Sequence, residues 1–136
     1  MVTEEEIAYY AGFFDGEGCV TSNGQGYLNV VISGNNLEVL QEMKERFGGN
    51  IHTRPNGTSN LSLSTQLGKA FLETLLPFLR VKREVAIQGL ALASTQRGNP
   101  NSQEKEDIRR EIHRLNKINS PRSGPKSRFE RIGEAD

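Results

Sequence analysis

The sequence contains no tryptophan and only one cysteine, Cys19, among its 136 residues. A single cysteine cannot form an internal disulfide, so the fold must be stable without covalent cross-links. No apolar run approaches the roughly 20 residues of a membrane span. The N-terminal segment MVTEEEIAYY is acidic and lacks the basic-then-apolar pattern of a secretion signal. We therefore expect an intracellular protein without a membrane segment, long enough to bury one hydrophobic core.

The chain also lacks a net charge, but its charged residues are unevenly distributed. Residues 1–45 contain eight acids and one base, residues 46–108 contain eight bases and five acids, and residues 109–136 contain eight bases and four acids. A neutral protein can still present a basic face to a polyanion. The same charges could equally be scattered over a solvated surface, so composition alone leaves nucleic-acid binding open.

The predicted elements are an opening helix followed by two hairpin–helix units. Thr3 and Glu6 form a capping box that starts the first helix, which we expect to end near Gly16. The pattern then predicts strands at 18–21 and 27–33, a helix from Asn35 or Asn36 to Phe47, strands at 50–54 and 60–66, and helices at 68–76, 83–96 and 104–118. This order indicates an α+β fold with helices on one face of the sheet.

The predicted strands alternate, so the sheet should have one apolar and one polar face. Leu61 and Leu63 are expected to point into the core, as is Leu37 in the second helix. Val31 interrupts the opposite, polar face, and residues 46–72 contain no acid. The polar residues expected on that face are Thr21, Asn29, Ser33, Asn50, His52, Arg54, Asn60, Ser62 and Ser64. Such a face could bind a polar ligand or simply be hydrated.

Two carboxylates, Asp15 and Glu17, lie where the first helix is expected to end. The C-terminal end of a helix carries partial negative charge, so an acid there is unfavourable by about 0.3–1 kcal/mol. A divalent cation would reverse this cost, because carboxylate and backbone carbonyl oxygens are the ligands that Mg²⁺ and Ca²⁺ prefer. A solvated polar turn would explain the same residues, and both interpretations remain open at this point.

The segment Tyr10–Gly18, YAGFFDGEG, resembles the LAGLIDADG motif of homing endonucleases. Tyr10 replaces the first leucine of that motif, and Glu17 replaces its second acid. The motif helix, the two hairpin–helix units and the segment LPFLRVKRE (Leu76–Glu84) occur in the family's order. Together they cover about residues 7–95. The resemblance implies an αββαββα fold with a saddle-shaped antiparallel sheet, and an intron-encoded nuclease as the kind of protein.

A chain with one motif copy implies a homodimer whose two motif helices pack side by side. Ala8 and Gly12 are four residues apart, and small residues at this spacing let another backbone approach closely. The residues expected at this dimer seam are Ala8, Ala11, Gly12 and Asp15. The first acid, Asp15, resembles a structural residue at the helix junction rather than a metal ligand.

The resemblance also implies a metal-dependent hydrolase that cuts both strands of DNA. Glu17 from each copy, with the Gly16 carbonyl, is expected to hold Mg²⁺, while Ca²⁺ should fit without supporting turnover. Lys82 occupies the position of a basic residue near the scissile phosphate, assisted by Arg80, although an exposed lysine beside a helix start is the plainer interpretation. Gly34 stands where many members have a glutamine that orders water, which puts full cleavage activity in question.

The polar strand face would read base edges in the major groove of a long pseudo-palindromic site. Arg54 is the best candidate for a guanine contact, whereas His52 could equally be a plain surface histidine. The residues expected to contact DNA are Thr21, Asn23, Asn29, Ser33, Asn50, His52, Arg54, Asn60, Ser62, Ser64 and Arg80. We expect one nuclease domain over 1–118 and a flexible basic tail over 119–136.

Two other functions remain compatible with the sequence. A protein of the same shape could bind without cutting, as an RNA maturase that assists intron splicing or as a DNA-binding regulator. A structural dimer module without a nucleic-acid role is the third possibility, disfavoured by the polar strand face and the basic C-terminal segment. Glu17 and Lys82 favour cleavage, because a pure binder has no need of an acid beside a phosphate.

Overall fold

The computed structural model describes residues 2–23, 25–95 and 103–119, and most of the predicted basic tail lies outside them. The elements are α1 (Glu4–Glu17), β1 (Gly18–Ser22), β2 (Leu28–Gly34), α2 (Leu37–Phe47), β3 (Asn50–Thr53), β4 (Ser59–Ser64), α3 (Thr65–Leu75), a 3₁₀ turn (Leu76–Phe78), α4 (Arg83–Ser94) and α5 (Gln103–Asn119). The predicted α+β class and the αββαββα order are therefore confirmed, with α4 and α5 following them.

Local sequence signals fix the ends of the first two helices. Thr3 caps α1, and the reciprocal bonds of Thr3 and Glu6 form the predicted capping box. Asn36 caps α2 through its side chain, and Gly48 ends that helix with a φ of 85°. A positive φ strains residues that have a Cβ, which explains glycine at this position.

The four strands form one antiparallel sheet in the order β1-β2-β4-β3. Cα partners include Thr21 with Asn29 and Asn29 with Ser64, so these side chains share a face. Ser33 with Asn60, and Asn60 with His52, form a second row on the same face. The sheet therefore presents the predicted polar residues together, and we call this surface the open face.

The core lies between the other face of the sheet and the helices. Val20, Val30, Ile32 and Leu61 are fully buried there. Edge-to-face ring contacts join α1 to α2 and α3. The ring centroids are 5.4 Å apart for Phe14 and Phe71 and 5.8 Å apart for Tyr10 and Phe47, and a third contact, Phe47 with Phe71 at 4.9 Å, joins α2 to α3. Tight aromatic packing of this kind fixes the position of α1 relative to the sheet.

The structure differs from the sequence-based prediction at two places in this layer. Leu37 is 38% exposed rather than inward, because it is the first residue of α2 and lies outside the buried stripe of Leu40 and Met43. Thr65 and Gln66 belong to α3 rather than to the preceding strand. Among the described residues, no helix is both long and apolar enough to cross a bilayer.

Candidate active site and strand face

Asp15 joins the end of α1 to the start of α4. Its carboxylate accepts hydrogen bonds from the backbone N–H groups of Arg80, at 2.9 Å, and Lys82, at 3.0 Å. Both of these residues lie in the loop between the 3₁₀ turn and α4. Because both carboxylate oxygens of Asp15 are used within the chain, this side chain holds the junction together.

Lys82 folds back onto the same junction. Its Nζ donates to the backbone carbonyl of Asp15 at 2.6 Å, and the residue is only 9% exposed. Removal from water lowers the pKa of Lys82, while the negative charges of Asp15 and Glu17 act in the opposite direction. The Lys82 ammonium thus offsets the partial negative charge at the end of α1.

Glu17 is the last residue of α1, and its environment is the opposite of that of Asp15. Its side chain is exposed and makes no hydrogen bond or ion pair with the part of the chain that the structure describes. Gly16 beside it is also exposed, and a Cβ at that position would meet no atom within 4 Å. A carboxylate and a backbone segment are therefore both open to a ligand at this end of the helix.

One chain alone does not provide a complete metal site. Among residues 2–23, 25–95 and 103–119, no group of three or more His, Cys, Asp or Glu side chains could hold a metal ion. Glu17 supplies one free carboxylate, and the Asp15 carboxylate is occupied by backbone donors. The donor chemistry suits Mg²⁺ or Ca²⁺, but further oxygen ligands would have to come from another molecule.

The outer side of α1 includes small, exposed residues. Ala8 and Gly12 are exposed, and a Cβ on Gly12 would meet nothing within 4 Å. Tyr9, beside them, is 55% exposed. Ala11 was expected on this side too, but it is fully buried in the core, because it follows the helical spacing that leads to Phe14. The placement of the Ala11 side chain at a dimer seam is therefore corrected.

The open face carries a hydrogen-bonded unit that crosses three strands. With the Asn60 amide assigned so that both of its ends have a matching partner, its nitrogen donates to Ser33 Oγ at 2.7 Å and its oxygen accepts from Arg54 Nη2 at 3.1 Å. Ser33 is on β2, Asn60 is on β4, and Arg54 follows β3. The unit holds the Arg54 guanidinium over the polar face while leaving donors on it unused.

The remaining candidates for DNA contact differ in position. Asn50, His52 and Ser64 are exposed on the open face. Thr21, Asn29 and Ser62 are half-buried there, and Arg80 is exposed in the loop before α4. Asn23 lies in the turn beyond β1, where its side-chain oxygen accepts from the N–H groups of Gln25 and Tyr27 at 2.9 and 3.1 Å. Asn23 therefore stabilises the turn with its oxygen and offers only its amide nitrogen to a ligand.

Sequence reasoning missed the polar contacts that fix α1 against α2. The Tyr10 hydroxyl donates to the Glu42 carboxylate, and Arg46 pairs with Glu6 at 2.7 Å. Burial, followed by the bond to Glu42, raises the pKa of Tyr10 to about 12. A tyrosine within an otherwise apolar stripe was the available signal, but its partner is 32 residues away in the sequence.

No protein-family model matches the chain. No curated protein matches it either. Solved structures do match. The homing endonuclease I-CvuI, in complex with an I-CreI target in the presence of Mg with the DNA not cleaved, has a TM-score of 0.71 at 19% identity over 82% of each chain. The archaeal intron-encoded homing endonuclease I-Vdi141I, complexed with DNA, has a TM-score of 0.70 at 18% identity over 95% of this chain and 92% of that one.

A third neighbour is a longer chain. The LAGLIDADG meganuclease I-AabMI, bound to uncleaved DNA, has a TM-score of 0.64 at 17% identity, covering 78% of this chain but only 43% of its own. The protein therefore has the α+β fold of homing endonucleases. The resemblance to the LAGLIDADG group, which the segment Tyr10–Gly18 carried, is confirmed at the level of the fold.

Proposed function

We propose that this chain is a divalent-metal-dependent DNA endonuclease that acts as a homodimer. The observation that carries the proposal is the contrast between two acids at the end of α1. The Asp15 carboxylate accepts two backbone hydrogen bonds, whereas Glu17 is exposed and makes no hydrogen bond or ion pair with the described residues. A carboxylate left free at the negative end of a helix costs stability, which a bound cation would repay.

The homodimer would complete the site. The outer side of α1 exposes Ala8, Gly12 and Gly16, and nothing in the single chain would touch a Cβ at either glycine. A second copy packed there brings its own Glu17 beside the first, giving two carboxylates and two Gly16 carbonyls. The match to 43% of I-AabMI supports this arrangement, since the chain corresponds to about half of that longer protein.

Divalent metal, when bound, would stabilise negative charge on the phosphate and make a water molecule more acidic. Two Glu17 side chains would hold Mg²⁺ or, without turnover, Ca²⁺. Lys82 would lie beside this pocket and donate a hydrogen bond to the phosphate oxygens on which charge develops. Arg80, exposed two residues earlier, would hold the neighbouring backbone phosphate, because the Asp15 carboxylate fixes the main chain at both residues.

The open face would lie in the major groove and select the site. Arg54 would donate to guanine, since the Ser33–Asn60 unit holds its guanidinium in place before DNA arrives. The other contacts proposed there are Thr21, Asn23, Asn29, Asn50, His52, Ser62 and Ser64. Two copies related by a two-fold axis would read a long, pseudo-palindromic sequence.

Cleavage is tested on a supercoiled plasmid that carries the DNA flanking this gene, joined as it would be without the gene. With Mg²⁺ the wild type should linearise the plasmid, and Glu17→Gln should bind it without cutting. The matched control is Glu45→Gln, which removes an exposed carboxylate from α2 and should leave cutting unchanged. A gel shift without any cutting by the wild type would identify a binding protein instead, and normal cutting by Glu17→Gln would refute the metal assignment.

The homodimer is tested separately by sedimentation. Gly12→Arg should convert a two-chain particle to single chains with unchanged helical circular dichroism, because a Cβ at this position has open space within its own chain. Gln41→Arg adds the same charge to the exposed surface of α2 and should leave the mass at two chains. A wild type that sediments as one chain, both free and on DNA, contradicts the proposal.

A further inference from the structure

The last helix lies along the free edge of the sheet. β1 pairs with β2 on one side, and no strand of the described residues lies along its other edge. Asn116 of α5 donates from Nδ2 to the Val20 carbonyl at 2.8 Å on that free edge. Helix α5 therefore protects the edge from other strands and continues the molecular surface beyond the open face.

A cleft of about 540 Å³ lies between β1 and α5. Thr21 and Ser22 line its strand side, and one side of α5 lines the other. Five residues that recur at helical spacing form this side of the helix, and we call them the basic flank: Arg109, Arg110, His113, Arg114 and Lys117. None of these five residues was predicted from the sequence as a DNA contact, and none lies on the open face.

The positive charge of the basic flank is only partly neutralised. Glu106 is shared between Arg109, at 3.4 Å, and Arg110, at 3.6 Å. Arg114 donates from Nε and Nη2 to the Glu111 carboxylate, both at 2.7 Å, but the Glu111 side chain does not line the cleft. The cleft thus has four bases and one carboxylate, and the Arg110 side chain is 72% exposed. The pairs of Arg109 and Arg110 with Glu106 are long and exposed, so a phosphate can displace them, whereas the bidentate pair of Arg114 with Glu111 is stronger.

The basic flank also reaches the loop before α4. Arg114 lines a second cleft together with Arg80, Arg83 and one carboxylate, Glu84, at the loop that the Asp15 carboxylate holds. Bases therefore outnumber acids from the loop before α4 along α5 to Arg109. A continuous band of this length matches a chain of phosphates better than it matches a single small anion.

We propose that the basic flank binds the phosphate backbone of a DNA duplex whose major groove lies on the open face. Four strands at about 4.8 Å spacing place the edge strands roughly 14 Å apart. The major groove is about 12 Å wide, so the backbone that borders it would lie over the edge of the sheet if the strands follow the groove. Beyond β1, that edge is the cleft with its basic flank. This inference rests on the proposed DNA binding and adds a contact surface outside the open face.

The experiment uses a 30-base-pair duplex of mixed sequence and the full chain, without Mg²⁺, at a series of salt concentrations. The flank variant combines Arg110→Gln and Lys117→Gln, which are both exposed. The control combines Arg46→Gln and Lys69→Gln, which removes the same charge from the helix layer. Phosphate contacts carry a slope of about 0.9 each in the plot of log affinity against log salt.

The flank variant should lose about 1.8 from that slope for each protomer, and the control should stay close to the wild type. Equal slopes for the flank variant and the control would overturn the assignment while leaving the nuclease proposal intact. A wild type that binds no duplex at low salt would overturn both. A flank variant that loses affinity for duplex RNA of the same sequence, but not for DNA, would also overturn the assignment to DNA.

Discussion

The two acids at the end of α1 can be separated by one pair of substitutions. Asp15→Asn keeps one acceptor oxygen but turns an amide towards the second backbone N–H, so at least one of the bonds at 2.9 and 3.0 Å is lost. Hydrogen bonds to a charged group contribute about 1.5–3 kcal/mol each. Because Asp15 is half-buried, water recovers part of that loss, and we expect the free energy of unfolding to fall by about 2 kcal/mol.

Glu17→Gln should behave in the opposite way. Glu17 has no partner among the described residues, so no hydrogen bond is lost. Removing a negative charge from the C-terminal end of a helix is stabilising by about 0.3–1 kcal/mol. The free energy of unfolding should therefore stay constant or rise slightly, while DNA cleavage disappears.

Urea unfolding followed by circular dichroism measures both variants against the wild type. All three proteins must be compared at one concentration and without metal, because assembly and ligand binding both shift apparent stability. An Asp15→Asn variant whose free energy of unfolding lies within about 0.5 kcal/mol of the wild-type value would contradict the structural role of Asp15. A Glu17→Gln variant destabilised as much as Asp15→Asn would show that Glu17 is a structural residue.

Three further outcomes follow from the packing around this site. Because the folded-state pKa of Tyr10 is raised to about 12, its contribution to stability is present below pH 10 and is lost as pH rises towards 12. Tyr10→Phe should therefore flatten the alkaline fall of the unfolding free energy, by on the order of 2 kcal/mol. Gly89→Ala should lower the free energy of unfolding, measured by urea titration, by about 1–3 kcal/mol, because the added Cβ would lie 2.7 Å from Val20 Cγ1. Gly34→Gln should fold normally, with no contact closer than 3.8 Å for its Cβ, and should raise the cleavage rate above that of Gly34→Ala.

Features that depend on nearby residues could be predicted from the sequence. The capping box of Thr3 and Glu6 and the helix end at Gly48 are set by residues within one turn, and both occur in the structure. The polar strand face followed from a two-residue alternation. The prediction that Leu37 faces the core was wrong, because an apolar residue at the first position of a helix need not face the core. No pattern within α2 distinguishes an inward from an exposed leucine at this position.

Features that depend on distant partners could not be predicted in the same way. The local pattern predicts strand for Thr65 and Gln66, but α3 begins at Thr65. Gly68 in this helix packs closely on β2, since an added Cβ would lie 3.0 Å from Val30 Cγ2. The hydrogen bond from Tyr10 to Glu42 and the contact of Lys82 with the Asp15 carbonyl join segments 32 and 67 residues apart. Only the assembled fold brings these groups together.

Contacts between distant segments also explain why one chain alone does not complete the proposed metal site. Within the chain, the Lys82 backbone N–H donates to the Asp15 carboxylate, and the Lys82 ammonium donates to the Asp15 carbonyl. These two bonds fix the end of α1 without using Glu17. The outer side of α1 has no side chain at Gly12 or Gly16. A structural module would gain stability from filling this space, whereas an open side next to an unpaired carboxylate is of use only if something docks there. The proposed second copy would meet both needs at once, because it would cover the glycines and supply another carboxylate.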